Sequence, residues 1–236
     1  MPIPSTPSFP KSDYKDYPRT LAADDLWGQV RRTVNGKPVS EDQIELIVAA
    51  IRAGLALRPA DRVLDLACGN GALSRYFFDD CASLHGVDFS AYLIEVAQRH
   101  FERPPRFAFT LGDAAGYVSS EPDPTRFDKV LCYGSFPFFS EADGATVLRE
   151  LHRRFVNVQR VFIGNLPDRD RADRFYPAGT DYTAALDDPA AAIGLWRTAD
   201  DWRTLAAAHG WRASIHHMPQ AFYAAHYRFD VVLDRA

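Results

Sequence analysis

The chain has 236 residues, 47% of them hydrophobic and 25% charged, enough to bury one substantial core without division, so a single domain is expected over residues 21–236. Acidic residues outnumber basic ones, 31 to 27, which leaves no global field to attract a phosphate backbone and argues against a nucleic-acid partner. Cys68, Cys81 and Cys132 form no C-x-x-C pair and no apolar run approaches a bilayer's width, excluding a disulfide framework, a cysteine zinc site and a membrane span; a soluble, cytoplasmic protein is the expectation.

Residues 1–20 open with Pro2, Pro4, Pro7 and Pro10 among polar residues and read as a flexible leader with too little apolar content to pack. Residues 21–58 follow as an N-terminal lid and helix. Trp27–Gly36 combines aromatic, amide and guanidinium groups and reads equally as a lid over a ligand or as a surface turn made by Asn35 and Gly36. Ser40 with Gln43 predicts a capping box opening a helix that carries Ile44, Ile47, Val48, Ile51 and Leu55 on one face and ends near Pro59.

Strand and helix then alternate: strand 62–67, helix 71–79, strand 84–89, helix 91–102 behind a Ser90 cap, and strand 106–112. A Pro-rich loop, strand 127–133, helix 141–155 and strand 159–166 continue the series. Repeated βα units imply parallel strands with helices on both faces, a doubly wound α/β sheet. A charged segment, within an acceptor-side insertion spanning 168–198, precedes helix 199–209, which Gly210 stops. Strands 211–218 and 227–234 are joined without a helix and are expected to pair antiparallel.

The strongest chemical signal is V-L-D-L-A-C-G-N-G, from Val63 to Gly71. Gly69 and Gly71 let the backbone approach a ligand, and free amides at a helix start can hold a polar group. A plain strand-to-helix turn and a dinucleotide-binding turn share this pattern, but Ser74 stands where the latter needs a third small glycine-like residue. Asp65 would repel a pyrophosphate, whereas it suits an ammonium group. Asp88 in G-V-D-F-S and Asp113 in L-G-D-A-A end the next two strands, so all three acids should converge at the carboxyl edge of the sheet. Asp88 can accept from both hydroxyls of a ribose, Phe89 offers an apolar face to a base, and Asp113 can receive an adenine amino group.

In these motifs the chain resembles class I S-adenosylmethionine-dependent methyltransferases, the seven-stranded Rossmann-like group, from Asp61 to about Leu166. D-L-A-C-G-N-G looks like the first motif, G-V-D-F-S the second, L-G-D-A the third and F-D-K-V-L-C-Y-G-S the fourth. The resemblance implies strand order 3-2-1-4-5-7-6 with strand 7 antiparallel, and S-adenosylmethionine as cofactor with S-adenosylhomocysteine as product. It implies cofactor contacts at Asp65, Ala67, Gly69, Asn70, Gly71, Asp88, Phe89, Asp113, Ala114 and Cys132, with Asp65 facing the ammonium of the methionine end.

Methyl transfer of this kind needs alignment and exclusion of water rather than a covalent intermediate. A small soluble acceptor is expected, with a hydroxyl (sugar, phenol or natural-product intermediate) favoured over an amine. A hydroxyl must lose a proton. His226 is the first choice of base because the last strand begins at the active edge, with Tyr133 and Asp168 as further candidates; an edge histidine bonded to backbone or water is the bland alternative. Tyr133–Phe136, Asn165–Arg169, Phe222 and Tyr223 should border the methyl group. His217 is expected to pack with Trp211, Ala213 and Ile215, with His216 turned away. No H-x-x-D/E cluster suggests a metal. An N-P-P-Y-like tetrapeptide, expected of an enzyme acting on base amino groups, is replaced by Y-G-S-F-P-F. A non-catalytic cofactor-binding protein and an N-methyltransferase remain alternatives.

Overall fold

A computed structural model describes residues 13–236. Its main sheet contains β1 (Arg62–Leu66), β2 (Ser83–Asp88), β3 (Phe107–Leu111), β4 (Lys129–Tyr133), β5 (Arg160–Pro167), β6 (Trp211–His216) and β7 (Arg228–Arg235). The spatial order is β3-β2-β1-β4-β5-β7-β6. β1 to β5 pair in parallel, and β7 is antiparallel to both β5 and β6. This is the order the motifs implied, and the final pair is antiparallel because its connection contains no crossover helix.

The longer helices are α1 (Glu41–Leu55), α2 (Ala91–Phe101), α3 (Ala114–Ser120), α4 (Glu141–Arg154) and α5 (Ala199–Ala208). Consecutive strand residues feed opposite layers: Val63, Leu131 and Phe162 pack with Ile44, Ile47 and Ile51 of α1 and Ile94 of α2. Leu64, Val130 and Ile163 pack with Leu148 and Leu151 of α4 and Trp202 of α5. Alternation along each strand thus buries both faces of the sheet, as parallel sheets require.

Several local expectations are corrected. The predicted helix over 71–79 shrinks to a 3-10 turn at Ser74–Phe77, because Gly71 adopts φ +74 and cannot start a right-handed helix. The predicted Pro-rich loop after β3 begins instead with α3, capped by the Asp113 carboxylate accepting from Gly116 N at 2.8 Å. Ser40 occupies the N-cap of α1 without a side-chain cap bond. Gln43 reaches across the fold instead, accepting from Tyr223 N at 2.8 Å and donating to Ala221 O at 3.2 Å. The helix ends at Leu55, before Pro59, on a left-handed Ala56.

The leader also differs. Asp13–Asp16 and Tyr17–Thr20 form helical turns, with Pro18 buried and the Tyr14 carbonyl accepting from Ser90 Oγ at 2.9 Å. Tyr14 and Tyr17 supply the apolar surface that the prolines concealed; the rest of the expected leader lies outside the described residues. β6 stops at His216, so the strand alternation does not reach His217, which is exposed rather than packed. Among the described residues no helix is long and apolar enough to cross a membrane.

Candidate active site

The carboxyl ends of β1 to β5 open onto a cavity of about 640 Å³. After β1 the chain turns through left-handed Ala67, Gly69 and Gly71, with φ of 57, 60 and 74°. Gly69 needs its missing side chain, since a Cβ there would lie 2.8 Å from a Val30 methyl. The turn aims the Gly69 amide at Asp88: Gly69 N donates to Oδ2 and Ser90 N to Oδ1, both at 2.9 Å.

Asp88 is buried, and that burial pushes its carboxyl up to about 6 despite the two amides. Asp65, also buried, accepts from Ser74 Oγ at 2.6 Å, and burial pushes it up to about 7. Ser74, which counted against a dinucleotide turn, is therefore the hydroxyl that holds Asp65. Phe89, Asp113 and Ala114 border the cavity beside Asp88. Asp113 combines that position with the cap of α3 and is exposed.

Both buried carboxylates retain lone pairs toward the cavity. Asp88 suits paired hydroxyl donors and Asp65, with one hydroxyl partner, suits an ammonium. This pair of acceptors fits S-adenosylmethionine, whose ribose hydroxyls and ammonium donate.

Asn70 also borders the cavity, but its amide joins two segments. Nδ2 donates to Leu26 O at 2.8 Å and Gln29 Oε1 at 3.0 Å, while Oδ1 accepts from Ala72 N at 3.2 Å. Buried Gln29 continues the tie to Ala22 O at 3.1 Å. The cofactor-side turn thus anchors the helical turn Leu26–Gln29 and the two-stranded hairpin that follows, Thr33–Val34 with Lys37–Pro38. Trp27, Val30, Arg31, Arg32 and Thr33 of this region face the cavity.

Gly71 and Cys132 stand behind the cavity wall. Gly71 packs under Phe109 and Phe101, and Cys132 is buried in the layer of α4, where burial pushes its thiol far up.

On the opposite side, Tyr133 lines the cavity, 6% exposed, with its ring 4.9 Å from the Arg32 guanidinium carbon. Burial holds its phenol well above the ordinary value, so it stays protonated at neutral pH. His226 and Asp168 are corrections. β7 begins at Arg228, so His226 sits in the preceding turn and is exposed, while Tyr223, Tyr227 and Arg228 turn inward. Asp168 is buried outside the cavity, accepting from Asp170 N at 3.1 Å and pairing with Arg171 at 3.2 Å. Phe222 packs in the core.

Tyr14, Tyr17 and Arg228 were missed as cavity residues, and Arg32 and Asn165 had appeared only within longer segments. The three-residue spacing of Tyr14 and Tyr17 matches one face of a helical turn, a signal available in the sequence. Asn165 lay in the expected loop after β5, but that strand continues to Pro167 through a bulge. Among the described residues, no group of three or more His, Cys, Asp or Glu side chains could hold a metal ion.

A methyltransferase-domain family model matches residues 63–156, from β1 just past α4. The chain is 30% identical over 135 residues to the ubiquinone biosynthesis O-methyltransferase of Pseudomonas aeruginosa, covering 57% of this chain and 56% of that protein. It is 32% identical over 115 residues to ribosomal RNA small subunit methyltransferase A of Pseudomonas syringae, covering 46% and 41%. The chain spans about half the length of these curated relatives. Phosphoethanolamine N-methyltransferase 1 of Haemonchus contortus, solved with phosphoethanolamine and S-adenosylhomocysteine, has a similar fold: TM-score 0.69 at 14% identity, covering 95% of this chain and 48% of that one.

Proposed function

We propose that this chain, which belongs to the class I S-adenosylmethionine-dependent methyltransferase superfamily, transfers the cofactor's methyl group to a small soluble acceptor carrying an acidic hydroxyl, such as a phenol. The observation that carries this reading is the pair of buried carboxylates, Asp65 and Asp88, with unused acceptor capacity at the sheet edge of one cavity. Asp88 would hold both ribose hydroxyls, Asp65 the ammonium, and Phe89 with Asp113 and Ala114 the adenine. The Ala67–Gly71 turn would give close backbone approach. When bound, the cofactor supplies a sulfonium methyl open to in-line displacement.

The chain's own contribution is alignment and drying. Trp27, Phe138, Phe139, Phe175, Tyr223 and Tyr227 give the far half of the cavity aromatic walls, which suit a flat apolar body and exclude water from the reacting centre. No histidine is present among the described residues that line it, and Tyr133 remains a hydrogen-bond donor. A nucleophile that ionises without an imidazole therefore fits better than a sugar alcohol. The O-methyltransferase name of the Pseudomonas aeruginosa relative supports oxygen over nitrogen.

The test is transfer of labelled methyl from S-adenosylmethionine to a panel of phenols, sugar alcohols, primary amines and RNA oligonucleotides. Phenols are expected to take the label. Labelling of amines alone would redirect the reading to N-methylation, and labelling of RNA alone would overturn the small-molecule assignment. Cofactor binding without transfer to any member would favour the non-catalytic alternative.

A further inference from the structure

Tyr133 and Arg228 approach one stretch of β5 from the strands on either side of it. Tyr133 ends β4 and pairs in register with Gly164. A Cβ on that glycine would lie 2.4 Å from the tyrosine ring, so the missing side chain lets the ring lie across β5. Arg228 opens β7 opposite Pro167, and one of its N–H groups donates to the carbonyl of Asn165, the residue after Gly164. Both side chains line the acceptor half of the cavity.

Each brings a donor that the fold does not use. Tyr133 Oη is a buried atom without a hydrogen-bond partner, and burial keeps its proton in place at neutral pH. Buried polar atoms are ordinarily satisfied, so this one awaits a ligand that accepts. Arg62 pairs with Asp128 at 3.0 Å and Arg160 with Asp234 at 2.7 Å, whereas Arg228 forms no ion pair among the described residues. Its guanidinium carbon lies 4.8 Å from the centre of the Tyr227 ring, which leaves its charge and most of its N–H edge available.

The other charged and titratable groups around this pair leave the wall positive. Arg32 stands over the Tyr133 ring, 4.9 Å from its centre. Asp230, pushed up to about 6 by burial, accepts from Asn165 N at 2.7 Å. Tyr223, also raised by burial, stays protonated. At neutral pH two guanidiniums therefore face one carboxylate. The charge of Arg228 is felt by Tyr133, Tyr223 and Asp230 alike, and an anion entering among them meets a favourable field.

We propose that Tyr133 and Arg228 form an oxyanion seat for the ionised hydroxyl of the acceptor, Tyr133 Oη donating a hydrogen bond to the oxygen and Arg228 supplying the counter-charge. The inference rests on the phenol reading of the acceptor. As the phenol enters, its O–H bond breaks with the electron pair left on oxygen, and the proton passes to bulk water. A cation within reach lowers the pKa of an acid by about 1–3 units, and each unit raises the ionised fraction about tenfold. The oxygen's reactivity falls by less than that, so a weakly acidic phenol gains at neutral pH. The seat does the work of an imidazole, which the described cavity residues do not offer.

A phenol that reports its own ionisation tests the seat without turnover. 4-Nitrophenol, whose phenolate absorbs visible light, is added to the full chain saturated with S-adenosylhomocysteine, and its absorbance is followed as pH is varied. Arg228→Met keeps the apolar stem without the charge, Arg228→Lys keeps the charge, and Tyr133→Phe removes only the hydroxyl. S-adenosylhomocysteine affinity within twofold of wild type reports that each variant is folded.

Bound to wild type, nitrophenol should ionise about one unit below its pKa in free solution. In Arg228→Met ionisation should return to the free value or rise above it, because burial then acts alone; Arg228→Lys should keep most of the shift, and Tyr133→Phe should lose a smaller part of it. In turnover, Arg228→Met should lower kcat/KM more for electron-rich phenols than for nitrophenol. Nitrophenol that ionises at the same pH on wild type and Arg228→Met, or that wild type binds only in the neutral form or not at all, overturns the seat. The phenol reading fails separately: no phenol takes labelled methyl from S-adenosylmethionine, whatever the nitrophenol titration shows.

Discussion

The two halves of the cavity are built differently. On the cofactor side, Asp65, Gly69, Ser74, Asp88 and Ser90 come from two strand ends and the turns after them, and they hydrogen-bond to one another. On the far side, Trp27, Tyr133, Asn165, Phe175, Ile193 and Tyr223 arrive from widely separated segments and meet mainly through the fold. The first half is held together mainly by hydrogen bonds within its own strand ends and turns. The second depends on long-range ties such as Gln43 to Tyr223 and Asn70 to Leu26.

The sharpest way to break this comparison is Asp88→Ala. Its buried carboxylate joins two backbone amides and, in our reading, two ribose hydroxyls. Losing it should weaken S-adenosylmethionine binding by about tenfold to a hundredfold, on the order of 1–3 kcal/mol, in a calorimetric titration. Affinity equal to wild type would remove Asp88 from the cofactor site. Asp113→Asn keeps an acceptor oxygen and the cap position of α3, so its loss should be smaller than that of Asp88→Ala.

A change of pH separates charge from shape. Burial raises Asp65 to about 7 and Asp88 to about 6, and Asp230 on the far side to about 6. The folded protein therefore holds protons that the unfolded chain releases from about pH 4 upward, and these groups' contribution to stability falls as pH rises from there through about 7. Ligand-free protein should accordingly resist urea better at pH 5 than at pH 8 through these groups. Cofactor affinity should run the other way, rising from pH 5.5 to 7.5 as Asp65 becomes charged toward an ammonium. In Asp65→Asn that part of the affinity slope should vanish; an unchanged slope would assign it elsewhere.

Gln43→Ala tests the long-range half. Removing its ties to Tyr223 N and Ala221 O should cost about 1 kcal/mol in denaturant unfolding, and raise KM for the acceptor with little change in cofactor affinity. A matching loss of cofactor affinity would show that the halves are not independent. The smallest effect is expected for His226→Ala. Exposed outside the cavity, this histidine should leave turnover within about twofold of wild type, whereas a general base would contribute about 100-fold or more.

Hydrophobic patterning and motif spacing were enough to place the alternation of strands and helices, the antiparallel final pair and the convergence of Asp65, Asp88 and Asp113 at one sheet edge. These follow from hydrophobic periodicity and from the rule that parallel strand ends share an edge, both of which depend on residues near one another in the chain. Which side chains line the far half of the cavity was settled by long-range packing. His226 lies two residues short of β7, Asp168 turned to Asp170 and Arg171, and Asn165 sits at a bulge that Asp230 and Arg228 hold from another strand. Tyr14 and Tyr17 folded out of an apparently loose leader because the surface that receives them includes Ser90 and Arg31. Such positions depend on a strand's last paired residue and on partners far away in sequence, and a one-residue change in where pairing stops turns a side chain from the cavity to solvent.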